Sequence, residues 1–214
     1  MKAIPVLPSN YRQQAVIQPS KNLKFVVSAI LTGIVMLIAF SWFNLLFIDT
    51  FRPMAMDSMR IDDILAPTPA GVVIQISPLL IRNIVIALVL VLIVHELVHG
   101  LFYWWFSGKS PKFGFQGIFP YAAAPKGVYF YRNHFIIVGI APLVLLTVVG
   151  LLLMMIVPAS LVPILFFFVT FNAAGSAGDL LMLFWLLSYS PDTFMEDNDA
   201  GLTVYGPGKE PNTV

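Results

Sequence analysis

The chain contains no cysteine, and charged residues make up only 11% of its 214 positions, against about 25% in an ordinary soluble domain. The first absence excludes disulfides, thiolate-bound metals and a cysteine nucleophile, and leaves the redox compartment open. The second excludes an ordinary soluble globular domain. A formal net charge of +1 and the lack of any basic stripe exclude nucleic acid as a partner. Histidine is scarce too, with three residues in the chain, and glutamate stands only at Glu96, Glu196 and Glu210. Internal repeats and low-complexity tracts are also missing.

What fills the chain instead is apolar: 58% hydrophobic residues and a mean hydropathy of +0.86. Four runs exceed the roughly 18 residues that mark a membrane-spanning helix. They lie at about 25–48, 79–106, 135–157 and 161–187. The expected fold class is therefore an all-α integral membrane protein, a bundle of about four transmembrane helices. Residues 1–24 form a leading segment, 25–190 the membrane domain, and 191–214 a polar, Gly/Pro-rich, acidic tail expected to be poorly ordered. The first run is too long for a signal-peptide core and follows two dozen mostly polar residues, so it is expected to be an uncleaved span. Pro158 and Pro163 bracket a short turn, making the last two spans antiparallel neighbours.

Orientation follows from the loop cations. Lys2, Arg12, Lys21 and Lys24 precede the first span, and Lys109, Lys112, Lys126 and Arg132 lie between the second and third. The loop after the first span sets Arg52 and Arg60 against Asp49, Asp57, Asp62 and Asp63. Both termini are thus expected on the cytoplasmic side of a cell membrane, with Tyr103, Trp104 and Trp105 as an aromatic anchor at that interface. The loop 107–133 is aromatic and β-prone. It reads either as a hairpin turning near 125–127 that presents substrate, or as an amphipathic interfacial loop.

The scarce histidines are concentrated. Residues 95–99 read His95-Glu96-Leu97-Val98-His99. On a helix, positions i and i+4 share a face, so both imidazoles can grip one metal ion, with Glu96 within reach of its bound water. An ionisable residue inside a span is itself a mark of function. A catalytic zinc takes three protein ligands and leaves a fourth position for water. The candidates for the third are Asp179 and His134. His99 lies seven residues before Phe106 and Asp179 eight before Leu187, which places both about 10–12 Å in from the cytoplasmic end. His134 lies at the interface, about two turns shallower. Depth favours Asp179, and so does the cost of an unpaired carboxylate with no cation at its level; Arg82 belongs near the outer end, where it snorkels. His134 stays open as the alternative ligand.

Around Asp179, the segment 172–179 is rich in small residues that permit close helix packing. Asn172 is a candidate to bind substrate backbone or a tetrahedral oxyanion, and Ser176 to support the ligands. A di-iron carboxylate site fails for want of glutamates. A transmembrane haem fails because both motif histidines share one face.

His95-Glu96-Leu97-Val98-His99-Gly100, the Ala124-Pro125 loop, the Ala141-Pro142 step and Asn172 with Gly178-Asp179 together resemble the site-2-protease-like zincins. Nearest is a prokaryotic branch of zincin peptidases of unknown function. The resemblance covers about residues 79–190. In that superfamily the third ligand is an aspartate from a later span, usually within an Asn…Asp-Gly pattern; here Gly178 precedes Asp179 and Leu180 follows it. A membrane-embedded β-hairpin near the first motif is a further family feature, similar in placement to 111–131. The resemblance implies a zinc-dependent endopeptidase of a prokaryotic inner membrane, acting on a membrane-protein or peptide substrate, with Glu96 as the catalytic base. Other readings are a non-proteolytic scaffold with a structural or regulatory metal, and a metal-ion transporter. The latter is disfavoured because the depths above and below the motif are nearly all apolar.

Overall fold

A computed structural model describes residues 2–59, 65–68, 71–74, 76–116, 119–198 and 201–208. Arg60, Asp62 and Asp63, which entered the orientation argument, lie outside the described residues, as does the end of the tail. Four helical stretches are long and apolar enough to cross a membrane: Leu23–Phe51, Pro78–Ser107, Arg132–Ile156 and Ala159–Leu187. The first three are α1, α3 and α4. Between α1 and α3 come a short helix, α2 (Met56–Met59), and a hairpin of β2 (Leu65–Thr68) with β3 (Gly71–Ile74).

Local chemistry sets the helix ends. Asn22 caps α1 by accepting from the Phe25 N–H at 3.2 Å, and Ser77 caps α3 by accepting from Leu80 N–H at 3.1 Å. Pro78 follows at the first helical position, where its missing N–H costs nothing. Gly108 stops α3 with φ 67°, a left-handed conformation that favours glycine, and its N–H reaches the Trp104 carbonyl. At the other end of the bundle the Arg52 guanidinium donates to the carbonyls of Met154, Met155 and Val157, closing the C-terminus of α4.

The fourth stretch is not one helix. It breaks into α5 (Val162–Gly175) and α6 (Ala177–Leu187). Helix α5 is the centre of the bundle and touches α1, α3 and α4. Its Val162, Phe166, Phe168 and Val169 join Ile48, Ala87, Val91, Val98 and Leu146 in the main core. Gly150 of α4 permits that packing, since a Cβ there would lie 2.3 Å from Val169 Cγ2.

The all-α class with one possible hairpin is incomplete, because small sheets accompany the helices. A four-stranded antiparallel sheet, ordered β1-β8-β7-β6, caps one end of the bundle. It joins β1 (Tyr11–Ile17), β6 (Phe130–Tyr131), β7 (Phe194–Asn198) and β8 (Gly201–Pro207). The tail expected to be poorly ordered thus supplies two strands. The reason is apolar burial: Phe194, Met195, Leu202 and Val204 are all buried, the last three packed with Leu186. The loop hairpin exists but turns elsewhere. β4 (Lys112–Gln116) pairs with β5 (Phe119–Ala123) across only two residues, while 130–131 join the large sheet instead. Tyr103 is likewise not an interfacial anchor. It is buried against Phe130 and Phe135, whereas Trp104 and Trp105 are exposed.

Candidate metal centre

Helix α3 turns His95 and His99 to its buried face, one turn apart, with ring centroids 4.8 Å apart. The α5–α6 break brings in the third group. Ser176 donates both its hydroxyl (2.8 Å) and its backbone N–H (3.0 Å) to the Asn172 carbonyl, and the new helix starts at Ala177 with Asp179 in its first turn. Asp179 Oδ2 lies 3.3 Å from His95 Nε2 and 3.5 Å from His99 Nε2. The two Nε2 atoms are 3.1 Å apart.

The surroundings decide which ring nitrogens carry protons. The Asn172 side chain is fully buried, and its Nδ2 donates to the Pro142 carbonyl at 3.1 Å. Its Oδ1 must therefore face His95 Nδ1, 3.1 Å away, as an acceptor. The His95 proton is then on Nδ1. His99 Nδ1 lies 2.9 Å from the Val138 carbonyl, which can only accept, so its proton is on Nδ1 as well. That carbonyl is available for a specific reason. The residue four positions on is Pro142, inside α4, and proline has no N–H to close the helical bond to Val138. One proline thus frees a carbonyl for His99 and offers its own to Asn172.

With both protons so placed, two imidazole lone pairs and a carboxylate oxygen converge with no donor among them. Such a cluster is repulsive unless a cation sits within it. A tetrahedral ion bound at about 2.0–2.2 Å sets its ligands about 3.3–3.6 Å apart, and the three separations here, 3.1, 3.3 and 3.5 Å, lie within about 0.2 Å of that range. Metal-ligating histidines also characteristically give their other N–H to an oxygen acceptor, as both do. The residues fit a divalent metal with one coordination position left open. Glu96 lies beside the group, and its Oε2 accepts from the Ala122 backbone N–H of β5 at 2.7 Å. All four side chains line one cavity of about 320 Å³, with Tyr103, Tyr121 and Phe135.

Among the described residues, the structure brings His95, His99 and Asp179 together as a metal-capable group. His134 is not part of it. Its ring is stacked on Phe106 with centroids 4.3 Å apart, and it faces Tyr131. Asn172 is not placed to meet an oxyanion, because both ends of its amide are committed to His95 and Pro142. Ser176 supports the centre through the Asn172 backbone rather than through a ligand. The small residues at 175 and 178 are not packing devices, since a Cβ on either would meet nothing within 4 Å. Sequence reasoning missed the Val138 carbonyl and the Ala122 N–H. The first had a signal, a proline four residues later inside a span; the second, a main-chain donor on a hairpin, had none.

The profile of a protein family described as "Putative zincin peptidase" matches residues 88–194, half of the chain, from Leu88 of α3 to Phe194 of β7. No curated protein and no solved structure matches the chain. The matched region holds the whole metal-capable group. Zincin peptidases imply zinc, and His95, His99 and Asp179 form a group that can hold it.

Proposed function

We propose that this chain, which belongs to that zincin-like peptidase family, is a zinc-dependent endopeptidase of the site-2-protease-like kind, cleaving peptide bonds within or at the surface of a membrane. The observation that carries this reading is the convergence of three acceptors, His95 Nε2, His99 Nε2 and Asp179 Oδ2, with Glu96 at their side. Bound there, zinc would polarise a scissile carbonyl and make a water acidic enough to attack at neutral pH. Glu96 would take the proton of that water and hand it to the leaving amine. The Ala122 N–H holds one Glu96 oxygen and leaves the other for this transfer. Asn172 and the Val138 carbonyl hold the imidazoles in the tautomer that binds metal. The setting would be a prokaryotic inner membrane, with residues 25–190 as the membrane domain, both termini cytoplasmic, and a membrane protein or peptide as substrate.

The test is metal analysis alongside cleavage of a model peptide by detergent-purified protein. About one zinc per chain is expected, lost in both His95→Ala and Asp179→Ala. Glu96→Gln should keep the zinc and lose cleavage by about 10²–10⁴-fold. Full activity in Glu96→Gln would overturn the mechanism. Zinc retained in Asp179→Ala would overturn the ligand set.

A further inference from the structure

Two cavities meet at His95 and Glu96. The first, about 320 Å³, extends along α3 toward Tyr103. The second, about 380 Å³, extends the other way, toward Leu88. At 1.5 Å per residue, Tyr103 and Leu88 stand about 12 Å and 10 Å from His95 in opposite directions. The second cavity is walled by Leu88, Val91 and Leu92 of α3, Phe171 of α5 and Pro120 of β5. Apart from His95 and Glu96 it is apolar, and Gly175 lines both cavities.

Gly175 ends α5 at the break before α6, but neither it nor Gly178 is required by a close neighbour. Neither has a positive φ, and a Cβ on either would meet nothing within 4 Å. Gly100 and Gly150 differ, since a Cβ there would strike a neighbour at 2.3 Å. With no side chain, Gly175 leaves the space between the two cavities open, so another chain can approach the reactive group closely there. That chain is not helical. A helix keeps its carbonyls paired within itself, and a scissile carbonyl must be free to reach the metal.

From this geometry we infer that the cavity between α3 and α5 is a specificity pocket for one bulky apolar side chain next to the scissile bond, with the extended substrate main chain passing over Gly175. The inference rests on the metal-centre reading above and adds the substrate's side-chain class and its direction along α3. The Tyr103 side of the cleft takes the other flank of the cleaved bond.

The test measures binding of three hydroxamates to the zinc-loaded protein in detergent: acetohydroxamate, amine-blocked leucine hydroxamate and amine-blocked naphthylalanine hydroxamate. The wild type should prefer the leucine compound over acetohydroxamate by about tenfold or more, the scale of a few methylenes in an apolar pocket. Leu88→Trp, which fills the pocket at its far end about 10 Å from His95, should erase that preference while leaving acetohydroxamate affinity and zinc content within about twofold. Phe171→Ala enlarges the pocket and should shift preference to naphthylalanine by about tenfold, which keeps the inference open to refutation if Leu88→Trp fails to fold. Equal wild-type affinities for the three compounds, or a leucine preference unchanged in Phe171→Ala, would overturn it with zinc still bound. Absence of both zinc and acetohydroxamate binding would instead bring down the metal-centre reading, and the pocket's role with it.

Discussion

Pro142 matters for the N–H it lacks. Without that donor the Val138 carbonyl is left inside α4 with a lone acceptor site, and His99 Nδ1–H fills it at 2.9 Å. Restoring the donor sets two N–H groups competing for one carbonyl. Pro142→Ala should therefore weaken zinc binding about 10–100-fold, the usual cost of losing a ligand's supporting hydrogen bond. Asn172→Leu should do at least as much, because it leaves the buried His95 Nδ1–H without an acceptor and the Pro142 carbonyl without the amide. Competition with a chromogenic chelator reads both. Unchanged zinc affinity in the two variants would mean that the ring orientations are set elsewhere.

The β4–β5 hairpin ties the reactive carboxylate to the rest of the fold. It lies on α3, where Gly100 leaves room for the Phe113 ring: a Cβ there would sit 2.3 Å from the ring. Gly100→Val should push the hairpin off the helix and break the Ala122–Glu96 hydrogen bond. Cleavage should fall by about tenfold or more with zinc content preserved, a split that simple unfolding would not give. The capping sheet offers a different handle. The Tyr205 hydroxyl donates to Glu196 Oε2 at 3.0 Å, and burial, then that bond and the Glu196 charge, push Tyr205 up to about 12. The folded state keeps this proton when the unfolded chain, near 10, has lost it. The stabilisation is therefore complete below pH ~10 and declines as pH rises toward ~12. Thermal unfolding of wild type and Tyr205→Phe should converge over that range; parallel curves would show that the bond contributes nothing.

These elements were not equally visible beforehand. The four long apolar helical stretches were legible because runs of 25 to 30 such residues admit few other readings. The grouping of His95 and His99 with Asp179 was legible from helix rise, depth and the want of another partner for Asp179, with His134 left as the alternative. The sheet was not, because its strands are two to seven residues long and β1 pairs with a strand about 190 positions away. Nothing in Tyr11–Ile17 names that partner. The hairpin turn was misplaced because Pro125 and Gly127 look like turn residues, and a turn does form there, with Gly127 at φ 66°. It leads from β5 toward the sheet rather than back along β4.

For the molecule as a whole, α5 is the element the others surround, and the two ends of the bundle are fastened by different means. One end is fastened by Arg52 across the carbonyls ending α4. The other is fastened by the sheet, where β8 pairs with β1 from Tyr11↔Pro207 to Ile17↔Leu202, with a bulge between Gln13 and Ala15. That pairing has a consequence for connectivity. The Gly208 N–H donates to the Asn10 carbonyl at 2.7 Å, so the first and last strands all but close the polypeptide into a ring. The order in which the helices are read is then separable from the shape they make. A linker joining residue 208 to residue 2, which keeps the backbone hydrogen bonds of Ala3 to Phe106 and of Ile4 to Tyr129, with the chain reopened between Ile156 and Val162, should yield a permuted protein with zinc content and a melting temperature close to the parent's. Failure of the permutant to bind zinc would show that the centre depends on the order of insertion and not on the final packing alone.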